Sequence, residues 1–232
     1  MKSKIIIILI LNLLLFSCYP TSNNKPEVVV DENSEPKKEN LFDSSVFELL
    51  VNTIEDPERK NWQNPELVIR ELGNLEQKTV VDIGAGTGFF TFRIAPLAAR
   101  VIAVDIDQRF LDVIEDRKPD FEQDWVERIE TRLTVEDDPG IEENEADVVL
   151  IVNTFHFLTN RVQYLENVRK GMKEGGIILI VDFKQSDLEV APPGGLIVPS
   201  EIAIAELRAG GFKNIRVDQM SLKYQYIIKA NS

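Results

Sequence analysis

The chain has 232 residues, 44% hydrophobic and 28% charged, which fits one substantial core and excludes fibrous or low-complexity classes. Its formal net charge of -13 disfavours nucleic acid and anionic membrane surfaces as electrostatic partners, because either demands a basic patch that displaces counterions. The single cysteine, Cys18, excludes internal disulfides, Cys-rich metal sites and thiolate catalysis in the residues that follow.

Residues 1–17 read as a bacterial export signal: Lys2 and Lys4 make a positive start, and Ile5 to Phe16 form an apolar run broken only by Asn12. The run is shorter than the roughly 20 apolar residues that span a bilayer. The next residues, Leu15-Phe16-Ser17-Cys18, resemble the lipobox of bacterial lipoproteins, which implies a lipid anchor on Cys18 and a place in the cell envelope; the alternative is a leader cut nearby with Cys18 lost or free. Tyr19 stands where some bacteria use an aspartate to retain lipoproteins at the inner membrane, so that analogy favours the outer membrane. Residues 18–40 are polar and proline-containing, as a flexible tether would be, and residues 41–232 read as one folded domain.

Within that domain helical and strand periods alternate, the pattern of an α/β protein with a mainly parallel sheet. Val46, Phe47, Leu50, Val51 and Ile54 put an apolar stripe on a first helix that Asp43 or Ser44 caps, and Asn64-Pro65 starts a second that Gly73 stops. Strands follow at Thr79 to Ile83 and Val101 to Asp105, with a helix between them from about Gly88 that Pro96 ends. Beyond these come a helix near Gln108 to Ile114, an irregular stretch to Arg128, and strands at Ile129 to Val135 and Ala146 to Val152. A helix at Arg161 to Met172 and the central strand run Ile177 to Val181 come next. Pro192-Pro193-Gly194-Gly195 make a loop, Ser200 caps a helix ending at Gly210-Gly211, and Ile215 to Val217 and Leu222 to Lys229 are closing strands.

The segment VVDIGAGTGFF, Val80 to Phe90, runs from a strand into a glycine turn, the part of a doubly wound sheet that comes closest to a bound nucleotide. Asp105, at the end of the next strand, is placed to accept hydrogen bonds from ribose hydroxyls. A nicotinamide dinucleotide and S-adenosylmethionine both fit so far. Phe89 separates them, because the dinucleotide fingerprint wants a small residue there, and Asp82 beneath the turn suits a cationic amino group and repels a pyrophosphate.

These residues, VVDIGAGTG with VIAVDID, resemble the class I S-adenosylmethionine-dependent methyltransferases, and the resemblance extends over Asn61 to Lys229, most closely to the small-molecule branch. It implies a Rossmann-like seven-stranded sheet, mainly parallel with the last strand antiparallel, and S-adenosyl-L-methionine as cofactor. It places Gly84, Ala85, Gly86 and Gly88 around the methionine and ribose and Asp82 near the amino group. It also puts Asp105 on the ribose, Ile106 on the adenine face, and Glu136 or Asp137 on the adenine amino group.

His156 follows the strand ending near Asn153, at the rim where an acceptor belongs, and is either a proton-accepting or substrate-contacting residue or an ordinary packed histidine. Trp62, Phe89, Phe155 and Tyr226 are candidates to line an apolar acceptor pocket, each otherwise ordinary core. The segment Asn153-Thr154-Phe155-His156 departs from the Asn-Pro-Pro-aromatic motif of nucleic-acid amino methyltransferases, in keeping with the acidic charge, and no metal site is expected. The leading expectation is an envelope-anchored methyltransferase acting on a small or lipid-like acceptor. A non-catalytic lipoprotein that uses the fold to bind an adenosine-like ligand or a partner is the alternative, and a nicotinamide oxidoreductase is the weakest reading.

Overall fold

The computed structural model describes residues 44–184 and 196–232. The export signal, Cys18, the tether and the Pro192-Gly195 loop lie outside the described residues.

Three helices precede the sheet: α1 (Ser44–Ile54), α2 (Arg59–Gln63) and α3 (Pro65–Leu72). Asn64 caps α3 with its side chain, which accepts from the backbone N–H of Leu67, and Pro65 occupies the first turn, where no N–H is needed. Leu67, Val68 and Leu72 of α3 go to the core. The stripe expected on α1 is only half-covered: Val46 is exposed, Phe47, Leu50, Val51 and Ile54 are half-buried, and no residue of that helix is buried. It rests on the rim of the domain, with the Phe47 ring 4.8 Å from that of Phe110, and does not lie against the sheet.

The remaining elements are β1 (Thr79–Ile83), α4 (Thr91–Ile94), β2 (Arg100–Asp105), α5 (Gln108–Arg117), α6 (Gln123–Val126), β3 (Ile129–Leu133), β4 (Ala146–Val152), α7 (Arg161–Gly171), β5 (Met172–Phe183), α8 (Ser200–Ala209), β6 (Lys213–Asp218) and β7 (Gln225–Asn231). They make one seven-stranded sheet in the order β3-β2-β1-β4-β5-β7-β6. All neighbours from β3 to β5 are parallel, and β7 runs antiparallel between β5 and β6, as the resemblance implied. Strand residues alternate between two cores. Val80, Val148 and Leu150 face one core with residues of α3, α4 and α5, while Val81, Val149 and Ile151 face the other with α7 and α8. Burial on both faces explains why these strands read as unbroken β-branched runs.

Among the boundaries that differ from the sequence expectation, three have a plain physical cause. The helix after the glycine turn is a single turn, α4, since residues 88–90 are spent on the turn itself. Strand β5 starts at Met172, because Met172 pairs with Ala146 and then residues 173–176 bulge out before Ile177 pairs with Val148. Ser200 is the first residue of α8 and not its cap: Pro199 precedes the helix, and the Ser200 hydroxyl accepts from Gln219 Nε2 at 2.9 Å.

Candidate functional site

In this strand order the chain reverses direction of winding between β1 and β4, so the crevice beyond their carboxyl ends is where a ligand belongs. The glycine turn leaves β1 there. The N–H groups of Gly84 and Ala85 both donate to the carbonyl of Val104 on β2, at 2.8 and 3.0 Å, which folds the turn back over the sheet edge. Gly84 has φ +70 and is packed against the Thr154 side chain so closely that a Cβ would overlap it. Gly86, at φ +54, has Ile54 of α1 standing over it, and a Cβ there would come 2.9 Å from Ile54 Cδ1.

Asp105 clamps this turn. Its Oδ2 accepts from Gly86 N–H at 2.9 Å and its Oδ1 from Asp107 N–H at 3.1 Å, and the residue is buried. Each carboxylate oxygen has a second lone pair, so the bonds that shape the turn leave acceptor capacity for a ligand. Burial pushes the Asp105 carboxyl up to about 6, against the lowering influence of those backbone N–H groups. Asp82 lies beneath the turn as expected, bonded at 2.7 Å to the Thr91 hydroxyl, and burial likewise pushes it up to about 6. Ile106 follows Asp105 and is partly exposed, and Glu136 and Asp137 lie exposed in the loop after β3. The amide N–H of Thr134, at the start of that loop, donates to the Asp105 carbonyl at 3.0 Å, which ties the acidic stretch to the same rim.

Arg59 was not singled out in the sequence. It is buried, its guanidinium lies 4.0 Å from the centre of the Phe89 ring, and it forms no ion pair among the described residues. Its Nε donates to Gln63 Oε1 and its Nη1 to the Ile54 carbonyl at 3.1 Å. Burial lowers its pKa to about 10, with Asp82 the main opposing charge, so the group stays cationic at neutral pH. A buried cation without a carboxylate partner is costly unless a ligand neutralises it.

On the acceptor side the candidates separate. His156 is fully buried in a one-turn 3-10 helix, Phe155–Phe157, and its Nδ1 is 2.8 Å from Asp182 Oδ1, while its backbone N–H donates to Asp182 Oδ2 at 3.0 Å. Asp182 therefore holds the ring through Nδ1 and the segment through its backbone. The His156 Nε2 is buried and has no hydrogen-bond partner among the described residues. Trp62 is half-buried, 6.0 Å from the Phe183 ring at the end of β5. Phe89 is buried beneath Arg59, so it supports a cation and does not line an open pocket. Phe155 and Tyr226 are corrections: both are completely buried in the core shared with α7 and α8, and the Tyr226 hydroxyl donates to the Val198 carbonyl at 3.1 Å. Strand alternation explains the error for Tyr226, since its side chain falls on the α8 face of β7. Gln63, Asn153 and Gln225, also missed, form a hydrogen-bonded group beside Trp62.

Among the described residues no group of three or more His, Cys, Asp or Glu side chains is arranged to hold a metal, and no helix is long and apolar enough to cross a membrane.

The sheet order and the clamped glycine turn define a Rossmann-like α/β fold. Residues 81–178 match a family described as a methyltransferase domain. Over 121 residues the chain is 31% identical to the demethylmenaquinone methyltransferase of Tropheryma whipplei, covering 52% of this chain and 48% of that one. It is also 31% identical over 106 residues to the cypemycin N-terminal methyltransferase of a Streptomyces species, covering 44% and 40%. The chain thus spans about half the length of the curated relatives it matches. Among solved structures, a SAM-dependent methyltransferase from Aquifex aeolicus superposes with a TM-score of 0.70 at 24% identity, covering 82% of this chain and 98% of that one.

Proposed function

We propose that this chain transfers a methyl group from S-adenosylmethionine to a small or lipid-like acceptor, and does so in the cell envelope, held by a lipid on Cys18. One observation carries the methyl-transfer reading above the rest: Asp105 at the end of β2 clamps Gly86 of the turn after β1, at the point where strand order reverses. The matches to methyltransferases agree with it. The envelope part rests on the residue pattern of the first 18 positions.

The residues at hand suit each part of the cofactor. Asp105 and the turn of Gly84, Ala85, Gly86 and Gly88 face the ribose, Asp82 answers the amino group, and the unpaired guanidinium of Arg59 answers the carboxylate. Ile106 covers one adenine face, and Glu136 or Asp137 accepts from the adenine amino group. When bound, the cofactor supplies an electrophilic methyl group on a sulfonium. Displacement at a sulfonium methyl depends on geometry, so the task of this chain's residues would be to align the acceptor and exclude water. His156, held through Nδ1 by Asp182, positions the segment that follows β4.

The test is calorimetric titration of S-adenosylmethionine into the full chain, with NAD as comparison and Asp105→Ala as the variant. Micromolar binding of S-adenosylmethionine alone, weakened at least about tenfold in Asp105→Ala by loss of charged hydrogen bonds, is expected. Tight NAD binding, or no binding of either, defeats the reading.

A further inference from the structure

Four side chains from distant parts of the chain join in one hydrogen-bonded row at the crevice. Arg59 and Gln63 come from α2, Asn153 follows β4, and Gln225 begins β7. Gln63 and Gln225 are completely buried, and Asn153 is half-buried. The chemistry of Arg59 sets the direction of the whole row, because a guanidinium has donors and no acceptor. Its Nε lies 2.5 Å from Gln63, so that atom of Gln63 is the carbonyl oxygen and the other end is the NH2. The Gln63 NH2 donates to Gln225 Oε1 at 3.1 Å and to Asn153 Oδ1 at 3.3 Å. Gln225 therefore also presents its NH2 to Asn153 Oδ1.

Asn153 thus has its oxygen held by two donors, and its own NH2 has no hydrogen-bond partner among the described residues. A free amide can turn over, but this one would set NH2 against two NH2 groups and lose both bonds. Its backbone is fixed as well, in the left-handed region at φ +56, with its N–H donating to the Val181 carbonyl at 2.9 Å. The result is a donor of fixed sense at the carboxyl end of β4, beside the switch point. Trp62 and Phe183 pack next to this row, and Phe183 is the register partner of Gln225.

We propose that Asn153 is the specificity-determining donor of the acceptor subsite, selecting a flat, largely apolar molecule that carries a hydrogen-bond-accepting oxygen. The proposal rests on the methyltransferase reading. The test uses the full chain saturated with S-adenosylhomocysteine, and calorimetric binding of two unreactive probes: 1-tetralone, whose oxygen only accepts, and tetralin, the same skeleton without oxygen. The wild-type chain should prefer 1-tetralone by about tenfold, the scale of one neutral hydrogen bond. Asn153→Asp keeps the size and both bonds from the glutamines but has no donor, and should abolish the preference; Asn153→Ala should do the same without adding charge. No preference in the wild type, or a preference that survives both substitutions, overturns the proposal. A second arm compares S-adenosylhomocysteine with 5′-methylthioadenosine, which lacks the amino acid part. If Asn153→Ala weakens the first ligand and spares the second, the oxygen read by Asn153 is the cofactor's carboxylate, and the proposal also falls. Failure of the wild type to bind S-adenosylhomocysteine at all would sink the methyltransferase reading itself, a result separable from the others.

Discussion

Asp82 and Asp105 are each held in a place that opposes their own charge. Burial is the first cause of both raised values, so the folded state binds protons more tightly than the unfolded chain between the ordinary carboxylate range and about pH 6. Their contribution to stability therefore falls as pH rises from about 4 to about 6, whereas binding of a cationic amino group by Asp82 should strengthen over the same interval. The two slopes have opposite sign, and thermal melts and cofactor titrations between pH 4.5 and 7.5 would display them. Asp82→Asn removes the buried charge and keeps an oxygen for the Thr91 hydroxyl, so at pH 7 it should stabilise the ligand-free protein by up to about 3 kcal/mol while weakening cofactor binding. A lower melting temperature would show that the carboxylate is stabilised by more than Thr91. None of this was legible from Asp82 as a letter in a sequence; the position beneath the turn was, but the cost of putting a carboxylate there depends on what surrounds it.

At the level of elements, legibility followed burial. The strands β1, β2 and β4 were delimited to within a residue, because double-sided burial selects apolar, mostly β-branched runs bounded by charged or turn residues. Helix α1 forms where its stripe placed it, but the stripe is only half-buried, because it faces a neighbouring helix and a turn. What holds it is polar: Glu55, just past its end, accepts from the Thr87 hydroxyl of the glycine turn and pairs with Arg117 of α5 at 2.8 Å. Arg117 also donates to the Thr87 carbonyl at 3.0 Å. Such partly exposed pairs contribute little to global stability. Glu55→Ala should leave the melting temperature within a few degrees of wild type and yet raise hydrogen exchange selectively in α1. Exchange that stays unchanged would mean the half-buried contacts of Phe47 and Ile54 suffice. The acceptor-side polar group was invisible for a different reason: Gln63, Asn153 and Gln225 are separated by 90 and 72 residues, and although Asn153 stood out at its strand end, nothing local marks its two partners. The Asp182 partner of His156, 26 residues away inside an apolar strand, was equally hidden.

For the whole molecule, the proposed lipid anchor on the lone cysteine is compatible with an acidic balance that disfavours electrostatic adsorption to a membrane. Replacing Cys18 with Ala should move the protein from the membrane fraction to the soluble one; persistence in the membrane fraction would require another anchor. The overall architecture was legible because a glycine turn and an acidic strand end 21 residues apart constrain a doubly wound sheet strongly, whereas the pocket depended on which side of β7 each residue fell. That strand has one more consequence. Residues 225–231 form the strand inserted between β5 and β6, so β6, made earlier, has no sheet neighbour until β7 arrives. A chain growing from its N-terminus exposes the bare hydrogen-bonding edge of β5 throughout that interval. Substitutions that weaken β7 therefore leave two strand edges open to pairing with other chains, a route to aggregation.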